Sequence, residues 1–329
     1  MRRLVFWLFL IGICLAPIHS ARADVDDTLE QIEDAAEEPL RTDKSYYEDR
    51  KFPPIRLTLK EEIEWGEFKS TDVTNFRTTA TGDVRFPITK KYFAAISTHF
   101  GITNTRFSGK SFIQSGKSSG DPWNDLYEFS LRFRSQYLIN DRWGLMVASW
   151  MVSRYEDGAK FRDGMKGAGA VAVTYNFGDK FNLVAGAALS SRIVGGGVRV
   201  NPFGQFSWKI DERHTFSTSG LGLGLKSEWN KSITTYFYGR YKGRRWRLDD
   251  RNDAPINGKS VNRGSLRDRR VPIGVGVRWK FLKGWRLRGD FGLIAYRQLK
   301  TTDDDGDSVD TVTSDAPGVF GSLLVQRRF

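Results

Sequence analysis

The chain has 329 residues, with 51 Lys or Arg against 39 Asp or Glu, a net charge of +12, 33 glycines, three histidines and one cysteine. One cysteine excludes a disulfide-stapled scaffold, and the length suits one large domain. Beyond the N-terminus no apolar run approaches the roughly 20 residues of a membrane-spanning helix, so any membrane crossing must be made by strands.

Arg2 and Arg3 precede an apolar run from Leu4 to Ala16, and Ala21-Arg22-Ala23 supplies a small-x-small cleavage site. This layout predicts a secretory signal peptide over residues 1–23 and hence an exported protein. Cys14 lies within it, behind an Ile13 too bulky for the usual lipoprotein cleavage pattern. An acidic periplasmic segment is expected over residues 24–53; Asp24 to Arg50 holds eleven acidic and three basic residues. Leu29, Ile32, Ala36 and Leu40 fall at near-helical spacing, so a short amphipathic helix and a disordered linker are both open readings. Pro53-Pro54 marks the boundary with the main domain, residues 54–329.

From Ile55 the hydrophobic period becomes two. Tyr127, Phe129, Leu131, Phe133, Tyr137 and Ile139 share one face, while Glu128, Ser130, Arg132, Arg134 and Gln136 share the other. The alternation recurs in Val171 to Phe177, Phe181 to Leu189, Val271 to Phe281 and Trp285 to Leu293. These strands run roughly 10 to 13 residues, near the roughly 9 to 11 that a tilted strand needs to cross a bilayer. Short polar links at Pro87–Lys91, Asn140–Arg142, Gly178–Lys180, Asp211–Arg213 and Leu282–Gly284 alternate with longer segments. The longer ones are Thr103–Asp125, Glu156–Lys166, Asp249–Asp268 and Thr301–Ala316. Short periplasmic turns and long outer loops are the outer-membrane arrangement. Tyr92, Trp143, Trp208, Trp229, Trp279 and Trp285 cluster beside the short links, as expected of aromatics at one membrane interface. Asp211–Arg213 and Glu228–Lys231 both read as periplasmic turns, which requires a short hairpin between His214 and Ser227, bending near Ser219-Gly220. The count is then fourteen strands; without that hairpin in the wall it is twelve.

The last segment, Val319 to Phe329, reads as a strand ending on an aromatic. A strand with a free edge invites association unless it closes a barrel. A terminal Phe329 resembles the assembly signal of bacterial outer-membrane barrels, from which Arg327 departs at a position that is usually apolar.

With the acid concentrated before residue 50, the remainder is strongly basic. Arg132, Arg134, Arg240, Lys242, Arg278, Lys280, Arg286 and Arg288 lie opposite clear apolar faces and are expected to face the lumen. On the lipid face each would cost about 2 to 4 kcal/mol at mid-membrane. A basic lumen favours anions. The alternative is a lumen filled by interlocked charges, with Glu128 and Asp290 pairing the arginines; the acidic segment is also complementary to such a lumen.

Signals for chemistry are weak. His99 and His214 sit in no Ser/His/Asp arrangement and are expected to be solvated or interfacial. Asp303, Asp304, Asp305 and Asp307 depart from EF-hand spacing, and Gly195-Gly196-Gly197 lacks the Lys-Ser/Thr of a phosphate loop. No enzyme activity, cofactor or metal is expected, and export argues against nucleic acid.

Gly220-Leu221-Gly222-Leu223-Gly224-Leu225, Trp229, and Tyr241 through Arg244-Arg245-Trp246-Arg247-Leu248-Asp249-Asp250 are similar to an uncharacterised family of predicted bacterial outer-membrane β-barrels, over about residues 200–329. The resemblance implies the fold and carries no activity. The expectation is an all-β, antiparallel transmembrane barrel of the outer-membrane type, with outer-membrane lipid, the barrel-assembly machinery and small anionic solutes as partners. The leading function is a channel for small anions. A non-conducting structural or interaction barrel is the alternative, and a lipid-modifying enzyme the weaker one.

Overall fold

The computed structural model describes residues 55–68, 71–109, 123, 125–191, 197–250 and 261–329. The expected signal peptide, acidic segment and Pro53-Pro54 boundary lie outside the described residues, as do Gly195 and Gly196.

Among the described residues sixteen strands follow one another: β1 (Ile55–Phe68), β2 (Thr71–Pro87), β3 (Tyr92–Gly109), β4 (Leu126–Leu138), β5 (Trp143–Glu156), β6 (Met165–Phe177), β7 (Phe181–Ser191) and β8 (Val198–Lys209) come first. Then come β9 (His214–Ser219), β10 (Gly222–Glu228), β11 (Ile233–Arg240), β12 (Lys242–Arg247), β13 (Ser265–Leu282), β14 (Trp285–Thr302), β15 (Ser308–Thr313) and β16 (Gly318–Arg328). Each strand from β1 to β10 pairs antiparallel with the next, β11 pairs with β13, β13 with β14, β14 with β16, and β16 returns to β1. The wall thus closes on fourteen strands. β12 and β15 extend the lines of β11 and β16 along β13 and β14. Arg56 faces Arg328 at the seam, where the Phe329 amide donates to the Ile55 carbonyl at 3.1 Å. Closure satisfies both end strands, which is why the terminal segment needs no other cover.

The short hairpin expected between His214 and Ser227 is present as β9 and β10, and it belongs to the wall. The alternating sequence becomes an outward belt: Leu57, Leu59 and Ile63 on β1, Leu131 and Phe133 on β4, Val171 and Val173 on β6, and Ile273, Val275 and Val277 on β13 are all exposed. A continuous apolar belt of this size is the mark of a surface that meets lipid. The Arg327 guanidinium lies over the Trp285 ring at 5.0 Å and the Phe329 ring at 4.4 Å. The departure from an apolar residue is thereby absorbed by two aromatics at the rim.

Four of the short turns share one device. Thr89, Asn140, Asp211 and Asn230 each accept, through a side-chain oxygen, the backbone N–H groups two and three residues on, at 2.7–3.2 Å. Such capping fixes the turn and the register of both flanking strands. The turn before β14 instead uses Gly284 at φ +80°, where a Cβ would lie 2.5 Å from the Arg328 carbonyl.

Wall height is uneven. β3, β13 and β14 have 18 residues each, whereas β9 has 6 and β10 has 7. The tall strands continue well past the roughly 9 to 11 residues needed to cross a bilayer. This corrects the expected loop bounds: β3 runs on to Gly109, β13 starts at Ser265 and β14 ends at Thr302. Those extensions are polar on their outward faces because water lies outside them, so they read as loops. Above the low β9–β10 hairpin the wall is drawn inward. β8 pairs with β9 only over Ser207–Lys209, and β12 reaches across to pair with β5 in parallel at Arg247 and Tyr155.

Candidate functional site

The interior is built in tiers. Residues of opposite parity to the apolar belt point inward, and at the short-turn end they are basic and partly reached by solvent. Arg132 and Arg134 on β4, Arg240 on β11, Arg278 on β13, and Arg286 and Arg288 on β14 are half-buried; Lys280 is exposed and Lys242 is buried. Arg278 and Arg288 face each other across the β13–β14 pair. Tyr236 separates them, with guanidiniums 5.0 and 4.7 Å from its ring centre, and Arg240 lies 5.4 Å from Tyr238. Cation–π stacking lets like charges crowd at this mouth without direct contact. Arg288 also pairs with Asp290 at 2.8 Å. Room for that carboxylate comes from Gly276, where a Cβ would fall 2.2 Å from Asp290 Oδ1.

Further out, the lumen is occupied by charge pairs. Glu128 accepts from Arg77 at 2.5 Å and from Arg154 at 2.8 Å, with Arg244 Nε at 3.9 Å. Arg270 bridges Glu62 at 3.4 Å and also Glu64, and Arg297 holds Asp268 at 2.9 Å. Lys242 reaches Glu62 at 3.8 Å. All these side chains are buried. The cavity among them has a volume of about 10 Å³, about the room one water molecule needs. On the outer side of this tier Phe68, Val73, Trp123, Leu126, Trp246, Leu266 and Leu299 pack together as a buried apolar cluster.

A second lobe lies under β5–β8. Met146, Ala148, Trp150, Ala170, Ala172, Val184, Ala188 and Phe203 point inward and pack together. Gly186 lies opposite Ala172, and a Cβ there would fall 2.6 Å from the Ala172 Cβ, so the sheet curls tightly at this point. The result is a largely apolar interior beside the charged one, with Thr174, Asn201 and Gln205 buried among the same strands.

Of the expected interface aromatics, Trp143, Trp208, Trp229 and Trp279 are exposed, and Tyr92 and Trp285 are half-buried. Trp143, Tyr175, Phe177, Phe181, Phe206 and Phe216 form an unbroken ladder of ring contacts around this rim, with centroids 4.4–5.8 Å apart. His214 sits at the rim against Asp211. His99 is not interfacial: its Nδ1 lies 3.0 Å from Thr81 Oγ1 on the lumen side, near Glu128. Asp304 engages Arg247, and Asp303 Oδ1 accepts the Asp307 amide, so that loop is tied internally.

Sequence reading missed the acids and bases of the outer tier, namely Glu62, Glu64, Arg77, Arg154, Asp268, Arg270 and Arg297. The signal was present in β1, where Glu62 and Glu64 alternate with Ile63 and Trp65. Their cross-barrel partners are remote in the chain and could not be paired from spacing.

Closure, apolar belt, aromatic rim and short turns at one end define a β-barrel of the outer-membrane type. No family model matches the sequence, and no curated protein matches it. Among solved structures, the COG4313 outer membrane channel from Pseudomonas putida F1 is similar over 84% of this chain and 95% of its own, at 10% identity and TM-score 0.45. The translocator domain of the autotransporter NalP from Neisseria meningitidis covers 93% of this chain and 100% of its own, at 12% identity and TM-score 0.35. The KdgM porin in complex with disordered oligogalacturonate covers 83% and 99%, at 8% identity and TM-score 0.34. The class rests on closure and belt rather than on these likenesses.

Proposed function

We propose that the protein is an outer-membrane channel for small anionic solutes that rests closed, with no catalytic role. The observation that carries this reading is the division of the lumen. A basic, solvent-reached inner mouth leads up to a buried ion-pair tier, so anions are drawn in and then meet a removable barrier. The test is reversal potential under a salt gradient, measured with folded protein whose ionic tier has been weakened at Glu128. Anion preference that moves toward cations on charge reversal at Arg132, Arg134, Arg286 and Arg288 supports the reading. Current with no change in selectivity counts against it.

A second reading, a non-conducting interaction barrel of the cell envelope, is favoured by the density of charge pairing in the outer tier. Silence from both the parent and the weakened protein, each shown to be folded, selects it.

A further inference from the structure

The buried ion-pair tier leaves hydrogen-bond donors over. Its cavity, about 10 Å³ in volume, is bordered by Asn75 and Arg77 on β2, Trp123 ahead of β4, Trp246 on β12 and Arg297 on β14, among others. Each of these five residues keeps 6% or less of its surface exposed. Arg297 uses Nε and Nη2 on the two oxygens of Asp268, at 3.1 and 2.9 Å, and Arg77 donates from Nη2 to Glu128. Among the described residues, no hydrogen-bond partner meets Arg297 Nη1, Arg77 Nε and Nη1, or the indole nitrogens of Trp123 and Trp246. Against these five buried donor nitrogens stands one bordering acceptor in the same condition, Asn75 Oδ1. The carboxylates at the cavity are already engaged: Glu62 and Glu64 by Arg270, and Asp268 by Arg297. Buried donors left unmade are costly and rare, so the surplus calls for an acceptor.

Size and donor count select that acceptor. The volume suits a single water-sized particle, which excludes sulfate, phosphate and organic acids. Water fits, yet it accepts only about two hydrogen bonds and brings two donors of its own. A monatomic anion brings no donor and accepts from every side, through charge-assisted bonds. Trp123 and Trp246 also belong to the apolar cluster on the outer side of the tier. Indole N–H groups set in apolar surroundings suit a weakly hydrated ion, chloride or bromide rather than fluoride.

We propose that this cavity is a halide site, holding one chloride through the indole N–H groups of Trp123 and Trp246 and the guanidiniums of Arg77 and Arg297. The ion joins β2, β12, β14 and the segment ahead of β4. Occupancy therefore stabilises the folded tier by linkage, in a conducting or a silent barrel alike.

The test uses the full chain, refolded in detergent in sodium sulfate without halide and verified by its heat-modifiable gel shift. Urea unfolding, followed by tryptophan fluorescence, is measured as sodium chloride or sodium bromide replaces the sulfate at constant ionic strength. A saturable rise in stability is expected with either halide. Crystals grown in bromide are expected to show an anomalous peak bordered by Trp123, Trp246, Arg77 and Arg297. Trp246→Phe keeps an aromatic ring and removes the donor, and is expected to weaken the apparent halide affinity at least about tenfold. Trp123→Phe repeats the test at the second indole, and Trp143→Phe at the exposed rim leaves the response unchanged. Equal stability in halide and sulfate, the lack of a bromide peak in the cavity, or a full halide response in both cavity variants overturns the proposal and assigns the cavity to water. None of these readouts depends on conductance, so they judge the site separately from the channel reading.

Discussion

Glu128→Gln removes an anion shared by Arg77 and Arg154 while keeping the side-chain volume. The three groups keep 5%, 7% and 1% of their side-chain surface exposed, so water cannot replace the lost carboxylate. Each pair at about 4 Å between charge centres is worth about 4 kcal/mol at an effective dielectric constant near 20, or about 8 kcal/mol for both. Several kcal/mol of that offsets the cost of burying the ions. Removing one partner of such a cluster leaves uncompensated charge, and the net loss expected is about 3 to 5 kcal/mol. Urea unfolding of the protein folded into liposomes, followed by tryptophan fluorescence, reads this directly. A loss below about 1 kcal/mol, the size of a solvated surface pair, would refute a dry, filled outer lumen.

Gly276→Ala sets a Cβ against Asp290 and displaces it from Arg288, and is expected to cost about 1 to 3 kcal/mol in the same assay. Gly289→Ala, with nothing within 4 Å of its Cβ, is the neutral control. Arg327→Ala removes two ring contacts at the closing seam and is expected to cost about 1 kcal/mol, with Arg327→Lys in between. At the β8–β9 turn, hydrogen bonds from the His214 and Arg213 amides lower the Asp211 carboxyl to about 2, against an ordinary 3.8. Its folded value is depressed, so its contribution is complete above about pH 4 and lost as pH falls through about 2. Amide exchange at Arg213 and His214 should therefore accelerate over that window. Exchange at Arg142 and Trp143, capped by the non-titrating Asn140, should show no such step; equal behaviour of both turns would discount the carboxylate.

Much of the wall was legible because lipid imposes a strict rule: every second residue of a crossing strand must be apolar. The β9–β10 hairpin was legible by another route: two turn signals belonging to the same rim with a single segment between them require the chain to go out and come back, although β9 itself, His214–Ser219, has only Phe216 as an apolar residue. The rule fails where β3, β13 and β14 leave the membrane, since strands wetted outside carry polar residues on that face and read as loops. The lumen was half legible. Parity marked Arg132, Arg134, Arg278 and Arg288, yet Arg77 finds Glu128 at 51 residues' separation and Arg270 finds Glu64 at 206. Such pairs exist only once the barrel has closed, so no local pattern announces them. Tyr236 and Tyr238, which space the mouth arginines, lie in a strand whose residues of both parities include aromatics.

Single-channel conductance of the folded, unmodified protein in a planar bilayer tests the closed outer tier most directly. A silent baseline is predicted, broken only by rare brief steps, with sustained current appearing when Glu128 is replaced. Large, stable, ohmic steps from the parent protein at low voltage would contradict a lumen closed by buried ion pairs.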